Sequence, residues 1–261
     1  QDQKMITRNQ EEIGVLKECG QKLARILEEI KKEVRPGIST KDLDDFAERL
    51  IRDALGDPVF KGYKAFGSRK PYPSVLCVSV NDEVVHAIPS RERILKEGDI
   101  VGLDIGMRYP SKTGLITDMA VTVGVGNLSR SAKLLIEATR ESLGKGIAVL
   151  RPGIRLGDLG AVIQEHLGRL GFGVIRELAG HGVGRELHEE PFVPNWGKRG
   201  SGPPVLEGMV LAIEPMATER SPQVVLDSDG WTFRTKDGGL AAHFEHTVLV
   251  TKDGAEVLTI V

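Results

Sequence analysis

Apolar residues near the start of the chain recur at helical spacing, and they predict a helix over about residues 11–34. Ser39 or Thr40 can cap a second helix over about 41–54. Residues 56–73 lack this periodicity and are predicted to form a long loop. Short apolar runs that are typical of strands follow at 74–80, 99–107 and 118–125.

The second half of the chain repeats this order of two helices followed by strands. Helices are predicted over about 130–149 and 156–169, and a stiff irregular loop rich in proline and glycine over 191–204. Runs of residues that are typical of strands lie at 172–179, 208–216, 223–227, 231–235, 241–250 and 256–261. Helices and strands in this order predict an α/β (α+β) protein in which helices pack on a sheet.

Two pairs of segments are similar to each other across the halves. VRPGISTKDL at 34–43 matches LRPGIRLGDL at 150–159. KEGDIVGLDIG at 96–106 matches LEGMVLAIEPM at 206–216. This internal repeat predicts two halves related by a pseudo-twofold axis. The expected organisation is a single domain, 1–261, with halves at about 9–128 and 129–260.

Each half carries two acidic residues at the ends or inside of these apolar runs. They are Asp104 and Asp118 in the first half, and Glu214 and Glu245 in the second. Any one of them could lie at a sheet edge and face water. A pseudo-twofold, however, would bring all four to one interface, where four carboxylates cannot share a small pocket unless cations neutralise them. We therefore expect two divalent metal ions between the halves.

Histidines accompany these acidic residues. His181 and His188 lie in GHGVGRELHEEP, whose glycines argue against a helix and allow close backbone approach, and His86 lies in NDEVVHAIP. His166, in the helix predicted over 156–169, is expected on the surface. A histidine among carboxylate ligands favours Co, Mn, Fe, Ni or Zn. Such a pair of metals can hold a nucleophilic hydroxide, and neutral histidines can donate to an oxyanion, so the expected reaction is hydrolysis of an amide.

Composition narrows the function classes. The chain of 261 residues has 35 basic and 37 acidic side chains, so no strong charge directs it toward nucleic acid or an anionic membrane. Two separated cysteines, Cys19 and Cys77, predict neither disulfides nor a zinc knuckle. We see no apolar run of about 18 residues and no signal peptide. We expect a cytoplasmic protein whose native start is Met5, with residues 1–4 added before it.

Four segments in order carry a family resemblance: NDEVVHAIP, GHGVGRELHEEP, AIEPM and FEHTVLV, with the aspartate pair between the first two. Together they resemble a type I methionine aminopeptidase, and the resemblance extends from about residue 9 to 260. It implies a pita-bread fold with a curved antiparallel sheet. It also implies removal of the N-terminal methionine from peptides and nascent chains by a metal-bridging hydroxide. A monomer is expected, and transient contact with the ribosome is a further expectation.

The resemblance also implies roles for the acidic residues and one histidine. Two divalent metal ions, of undetermined identity among Co, Mn, Fe, Ni and Zn, would be bound with Asp118 and Glu245 bridging them. Glu214 would in addition accept a proton from the attacking water. The complete ligand set implied by the resemblance is Asp104, Asp118, His181, Glu214 and Glu245.

The remaining implied roles concern the substrate. His86 would contact the substrate amide or the leaving amine, and His188 would contact the scissile carbonyl. Apolar and sulfur-bearing walls suit an unbranched thioether such as methionine. The pocket for the methionine side chain would include Tyr72, Cys77, Leu187 and Trp231.

This sequence departs from the family pattern in four places. The two aspartates are 14 residues apart rather than the usual 11, so the hairpin that joins them must be longer. Leu187 replaces a common phenylalanine, and HAIP replaces HGIP beside His86. His243 stands where glutamine is usual, two residues before Glu245. Because residues i and i+2 of a strand share a face, we expect His243 to point toward the metals and support a ligand.

Two other functions are compatible with parts of the sequence. An X-Pro aminopeptidase or prolidase has the same fold but usually carries a further N-terminal domain, whereas this sequence begins with the first helix of the repeat. A non-catalytic RNA- or ribosome-binding protein would use the basic loop FKGYKAFGSRKPYP. Retention of all five candidate ligands argues against it, and no specific nucleic-acid partner is expected. The 30 residues between Glu214 and Glu245 leave no room for a type II insert, which favours a compact bacterial-type enzyme.

Overall fold

The computed structural model describes residues 8–64 and 70–261. The expected start at Met5 and Arg69 of the basic loop lie outside the described residues. Asn9 and Ser39 each cap the helix that follows through a capping box, which satisfies otherwise unpaired backbone N–H groups. The four helices are α1 (Gln10–Glu33), α2 (Thr40–Asp53), α3 (Arg130–Val149) and α4 (Leu156–Arg169).

The two longest strands, of ten residues each, lie in the first half of the chain. In chain order the strands are β1 (Asp57–Pro58), β2 (Leu76–Val80), β3 (Glu83–Val85), β4 (Ile100–Tyr109), β5 (Leu115–Gly124), β6 (Gly173–Val174), β7 (Gly180–Gly182), β8 (Glu189–Val193), β9 (Val210–Ile213), β10 (Met216–Thr218), β11 (Val224–Leu226), β12 (Phe233–Thr235), β13 (Ala241–His243), β14 (Glu245–Val250) and β15 (Ala255–Val257).

Nine strands form one antiparallel sheet in the order β1-β4-β5-β14-β9-β7-β8, with β2 paired to β4 and β15 paired to β14. Strand β14 lies at its centre and pairs with β5 from the first half and β9 from the second. Two three-stranded sheets, β13-β10-β6 and β11-β12-β3, complete the strand structure that the described residues show.

Each helix pair covers one half of the sheet. The apolar faces of α1 and α2 pack with β2, β4 and β5, and those of α3 and α4 pack with β9 and β14. The predicted α/β arrangement of helices on an antiparallel sheet is therefore confirmed. The division into halves at 9–128 and 129–260 of one domain, 1–261, remains a prediction. Within residues 8–64 and 70–261, none of the helices has the length and hydropathy needed to span a bilayer.

Several local expectations were wrong. The run predicted at 172–179 contributes only β6, and the runs at 208–216 and 241–250 are each broken into two strands. Strand β8 begins before the loop predicted over 191–204 and includes its first residues. These strands have two to six residues, too few to show a reliable alternation in sequence. His166 is buried rather than exposed, because α3 packs over it and Glu141 Oε2 lies 3.1 Å from His166 Nε2.

Candidate metal centre

The long hairpin of β4 and β5 brings the two aspartates together. Asp104 pairs with Ala120 across the strands, and Gly106 pairs with Asp118, so both carboxyl groups project from the same face of the sheet. The last strand pair is Tyr109 with Leu115, and residues 110–114 form the connection. The aspartates are 14 residues apart in the sequence, yet the hairpin places them at neighbouring positions of adjacent strands.

The other three candidate ligands lie in or directly after strands β14, β7 and β9, which continue the sheet beyond β5. Glu245 opens β14 directly opposite Ala120 of β5. His181 in β7 pairs with Ala212 of β9, and Glu214 follows two residues later on the same face. All five side chains that the sequence assigned to metal therefore converge on one site.

Glycines on both sides of His181 allow this convergence. A Cβ atom at Gly180 would lie 2.2 Å from the carbonyl oxygen of Ala212, and one at Gly182 would lie 2.3 Å from that of Glu190. Neither distance is possible for a side chain. The two glycines let β7 fit between β8 and β9, which aims the imidazole into the site.

Distances within the site are short. Asp118, His181 and Glu245 are buried, and each offers a ligand atom within 4.8 Å of the others. The Nε2 atom of His181 lies 3.4 Å from Glu214 Oε1. Within the described part of the chain, three buried carboxyl oxygens have no hydrogen-bond partner: Asp104 Oδ1, Asp118 Oδ1 and Glu245 Oε1. Buried polar atoms are normally paired, so these oxygens are suited to a cation.

Burial disturbs the ionisation of the same groups. Burial raises the pKa of Asp118 from its ordinary 3.8 to about 7. Burial and the neighbouring carboxyls raise the pKa values of Asp104, Glu214 and Glu245 well above their ordinary range. Divalent cations would reverse these effects, because they stabilise the ionised form. Carboxylate oxygens together with one imidazole nitrogen form a donor set that fits Co, Mn, Fe, Ni or Zn.

Residues that the sequence did not single out hold two of these ligands in place. Thr247 Oγ1 donates to the carbonyl oxygen of Asp118 at 2.7 Å and accepts from its amide at 2.9 Å. Asn195, fully buried, donates its Nδ2–H to the carbonyl oxygen of Glu214 at 2.9 Å. Both contacts are between residues distant in the chain, and no local pattern reveals them.

A cavity of about 480 Å³ opens directly onto the carboxylates. The four residues predicted to form the pocket, Tyr72, Cys77, Leu187 and Trp231, all line it. The rings of Tyr72 and Trp231 meet edge to face, with centroids 5.3 Å apart. Further lining residues that the sequence reasoning missed include Phe60, Tyr63, Leu226 and Phe233.

Two of those missed residues lie in the segment 56–73, which was predicted only as a loop. The aromatic residues of the stretch FKGY could have indicated this role, since apolar or aromatic residues in a loop often line a functional site. A Cβ atom at Gly106 would lie 2.8 Å from the Phe60 ring and 3.4 Å from Asp118 Oδ1. The absence of a side chain at Gly106 therefore allows this loop to pack against the metal-binding face.

His86 and His188 both line the cavity, where the sequence placed them. Partial desolvation inside the cavity lowers the pKa of each ring to about 4, so both rings are neutral at neutral pH. The His188 ring meets the His181 ring edge to face at 4.2 Å between centroids. Its Nδ1 atom lies 2.6 Å from the hydroxyl oxygen of Tyr63.

His243 is buried and approaches the carboxyl oxygen of Glu214 that His181 does not contact. Its Nε2 atom lies 3.5 Å from Glu214 Oε2. The side chain therefore points toward the carboxylates, although its role in supporting a ligand stays a prediction.

The loop that carries Leu187 and His188 is fixed by a buried ion pair. Glu189 Oε1 accepts from the amides of Arg185 and Glu186 at 2.7 and 2.9 Å. The other oxygen of Glu189 pairs with Arg8, which also donates to the carbonyl oxygen of Val183 at 3.1 Å. The start of the described chain thus braces one wall of the cavity.

Comparisons with known proteins agree with this geometry. Residues 14–252 match the sequence profile of Metallopeptidase family M24. The chain is 45% identical to methionine aminopeptidase 1 of Bacillus subtilis over 255 residues, which cover 98% of this chain and 99% of that protein. The chain belongs to the methionine aminopeptidases of metallopeptidase family M24. It is also 44% identical to the methionine aminopeptidase of Aquifex aeolicus, with 96% and 97% of the two chains covered.

Solved structures of other proteins show the same fold. The methionine aminopeptidase of Thermotoga maritima superposes with a TM-score of 0.94 at 45% sequence identity, and the match covers 98% of this chain and 100% of that chain. An Xaa-Pro dipeptidase from Bacillus anthracis superposes with a TM-score of 0.77 at 22% sequence identity, and the match covers 62% of that chain. The second likeness concerns the fold alone. The prediction of a pita-bread fold and the resemblance to methionine aminopeptidases are confirmed.

Proposed function

We propose that this protein is a metal-dependent aminopeptidase that removes the N-terminal methionine from peptides and nascent proteins. The observation that carries the proposal is the meeting of three buried carboxyl groups, the half-buried Glu214 and one histidine at the floor of an apolar cavity. Relatives at 41–45% identity over nearly the whole chain are named methionine aminopeptidases, which supports the same activity here.

Asp104, Asp118, His181, Glu214 and Glu245 would hold two divalent metal ions. Two such ions would balance the four carboxylates, and the buried unpaired oxygens support this assignment. When bound, such metals would polarise the substrate carbonyl and lower the pKa of water, so that hydroxide is available as a nucleophile near neutral pH. Their identity is proposed only as far as the donor set allows: Co, Mn, Fe, Ni or Zn.

Glu214 is the proposed proton acceptor for the attacking water. Its carboxyl lines the cavity beside the other proposed ligands, and its two oxygens lie 3.4 Å from His181 Nε2 and 3.5 Å from His243 Nε2. A carboxylate held at such a fixed position can act as a general base toward a water bound beside it.

His86 and His188 are proposed to donate hydrogen bonds to the substrate. Both line the cavity in their neutral form, so each carries one N–H. His188 would donate to the scissile carbonyl oxygen, and His86 would contact the amide or the leaving amine. A fixed donor at the carbonyl oxygen stabilises the charge that develops there in the transition state.

The cavity walls suit a methionine side chain. The aromatic rings of Tyr72 and Trp231 and the side chain of Leu187 provide flat apolar surfaces. Burial raises the pKa of the Cys77 thiol well above its ordinary value, so this sulfur is an unreactive wall rather than a nucleophile. Sulfur against aromatic and sulfur-bearing walls gives favourable contacts.

The natural substrates would then be new chains leaving the ribosome. We accordingly propose a cytoplasmic enzyme that acts as a monomer, with transient ribosome contact.

The test combines metal analysis with peptide hydrolysis. Purified protein is stripped with a chelator, reloaded with Co²⁺ or Mn²⁺, and assayed on Met-Ala-Ser and on an X-Pro peptide. We expect cleavage of Met-Ala-Ser only after reloading. Glu214→Gln should lower kcat by about 10²–10⁴-fold, because it removes the general base.

Glu207→Gln is the matched control, since Glu207 is exposed seven residues earlier in the same segment. It should leave kcat unchanged. Full activity of the stripped protein, or preference for the X-Pro peptide, would contradict the proposed function.

A further inference from the structure

The side chain of Tyr63 makes a hydrogen bond to His188, a residue of the proposed catalytic site. Its hydroxyl oxygen lies 2.6 Å from Nδ1 of His188, and the two ring centroids are 5.1 Å apart with their planes tilted by 52°. The Tyr63 backbone is itself fixed, because its carbonyl oxygen accepts from the amide of Tyr72 at 2.8 Å and Gly62 N–H donates back to Tyr72 at 2.8 Å. The phenol is therefore held at a defined position.

The His188 ring needs such a contact because packing does not enclose it. It lines the 480 Å³ cavity on one side and a second cavity of about 440 Å³ on the other, and Tyr63 and Leu187 line both. The ring meets the edge of the His181 ring, which restricts its tilt. Within residues 8–64 and 70–261, Tyr63 provides the only hydrogen bond to the imidazole of His188.

The hydrogen bond also selects a tautomer. A neutral imidazole has one N–H donor and one bare nitrogen acceptor, and the partner of one nitrogen decides which is which. A phenol O–H is more acidic than the N–H of a neutral imidazole, so the phenol is the donor of this pair. With Nδ1 as the acceptor, the proton of His188 must lie on Nε2.

We propose that Tyr63 is a positioning residue that holds His188 as the Nε2–H tautomer, with this N–H available to the scissile carbonyl oxygen. The catalytic part rests on the function proposed above, while the tautomer itself is a property of the protein without metal or substrate. Loss of the Tyr63 hydroxyl should allow the ring to rotate and both tautomers to form. The donor would then face the substrate for only part of the time.

The first test observes the tautomer directly. Metal-free protein carrying ¹⁵N-labelled histidine is examined by long-range ¹H–¹⁵N NMR, and the His188 signals are assigned by their loss in His188→Gln. We expect a protonated Nε2 and a bare, hydrogen-bonded Nδ1 in the wild type. Tyr63→Phe should shift the Nδ1 signal and bring the two nitrogens toward the average of the two tautomers.

Tyr109→Phe serves as the matched control. Tyr109 ends β4, and its ring lies beneath Lys22, outside the cavity. It should leave the His188 signals unchanged. A protonated Nδ1 in the wild type, or His188 signals that Tyr63→Phe does not move, would overturn the proposal.

The second test is a double-mutant cycle on the metal-loaded enzyme with Met-Ala-Ser. Removing an oxyanion donor costs about 10²–10³-fold in kcat, and loosening one should cost less, about tenfold, with little change in KM. In the His188→Ala background, Tyr63→Phe should have no further effect on kcat. An equal loss in both backgrounds would show that Tyr63 acts through pocket packing and would refute the positioning role.

Failure of the proposed function gives a different result. If the reloaded wild type leaves Met-Ala-Ser intact, the aminopeptidase assignment is wrong and the catalytic part of this proposal falls with it. The NMR comparison then still decides whether Tyr63 sets the tautomer of His188.

Discussion

Replacing Asp118 by asparagine should stabilise the metal-free protein, although the substitution removes a proposed metal ligand. Burial raises the pKa of Asp118 from its ordinary 3.8 to about 7. The pKa of the folded state thus exceeds that of the unfolded chain by about 3. Ionisation of this carboxyl therefore lowers the free energy of unfolding by about 4 kcal/mol. Asparagine carries no charge and keeps the shape, and the Thr247 hydroxyl bonds only backbone atoms of residue 118, so that support is retained.

The sign follows from which state binds the proton. The unfolded chain releases the Asp118 proton near pH 4, whereas the folded metal-free protein keeps it until about pH 7. Between these values the folded state binds more protons, so its stability falls as pH rises, and the full cost is present above pH 7. Buried histidines such as His86, whose pKa burial lowers to about 4, act oppositely and lose stability as pH falls below about 6.5. They are the same in both proteins and cancel in the comparison.

Urea unfolding in a chelator measures the effect. Asp118→Asn should exceed the wild type by about 3 kcal/mol at about pH 6 and by about 4 kcal/mol at about pH 8. With saturating Mn²⁺ or Co²⁺ the order should reverse, because metal then stabilises the wild type. Asp253→Asn, at an exposed turn, should change stability by less than about 0.5 kcal/mol. If Asp118→Asn were no more stable than the wild type in chelator at about pH 8, the electrostatic reasoning would fail.

Three further outcomes follow from the site. Gly106→Ala should destabilise by about 1–3 kcal/mol and weaken metal binding measured by calorimetry, since the new methyl would press on the loop beside Asp118. Gly102→Ala, on the same face of β4 with its nearest neighbour at an ordinary 3.6 Å, should do neither. Thr247→Val should cost about 1–3 kcal/mol in urea unfolding, because it leaves both backbone groups of Asp118 without their partner; a neutral result would contradict this. Leu187→Phe should lower kcat/KM for a peptide beginning with ethionine relative to methionine by about tenfold, and an unchanged ratio would show that Leu187 does not limit the cavity.

The sequence predicted the helices well, because each shows a long amphipathic period. The helix expected over 156–169 coincides with α4, and the one expected over 130–149 coincides with α3. The convergence of the candidate ligands could also be anticipated, since each predicted half carries two acidic residues at the ends or inside of apolar runs. Such patterns are properties of the chain itself and do not depend on distant contacts.

The features that the sequence did not predict depend on such contacts. Strands β3 and β7 contain three residues each, too few for a period of two to be recognised. His166 was assigned to the surface because the helical pattern of its own segment cannot show that another helix covers it. Phe60 and Tyr63 were missed because a loop has no periodicity, and only the folded chain shows which cavity it borders.

The position of β14 at the centre of the large sheet affects how the protein acquires its metal. Asp104 and Glu245 are 141 residues apart in the sequence, yet β4, β5 and β14 are consecutive strands of the sheet. Pairings between such distant segments form slowly, because most of the chain must lose conformational entropy before these contacts stabilise it. A nascent intermediate with only the β4–β5 hairpin formed would offer two carboxylates and little affinity. Metal binding is therefore expected to coincide with the last cooperative step of folding. The rate of metal binding during refolding should then equal the rate of that step.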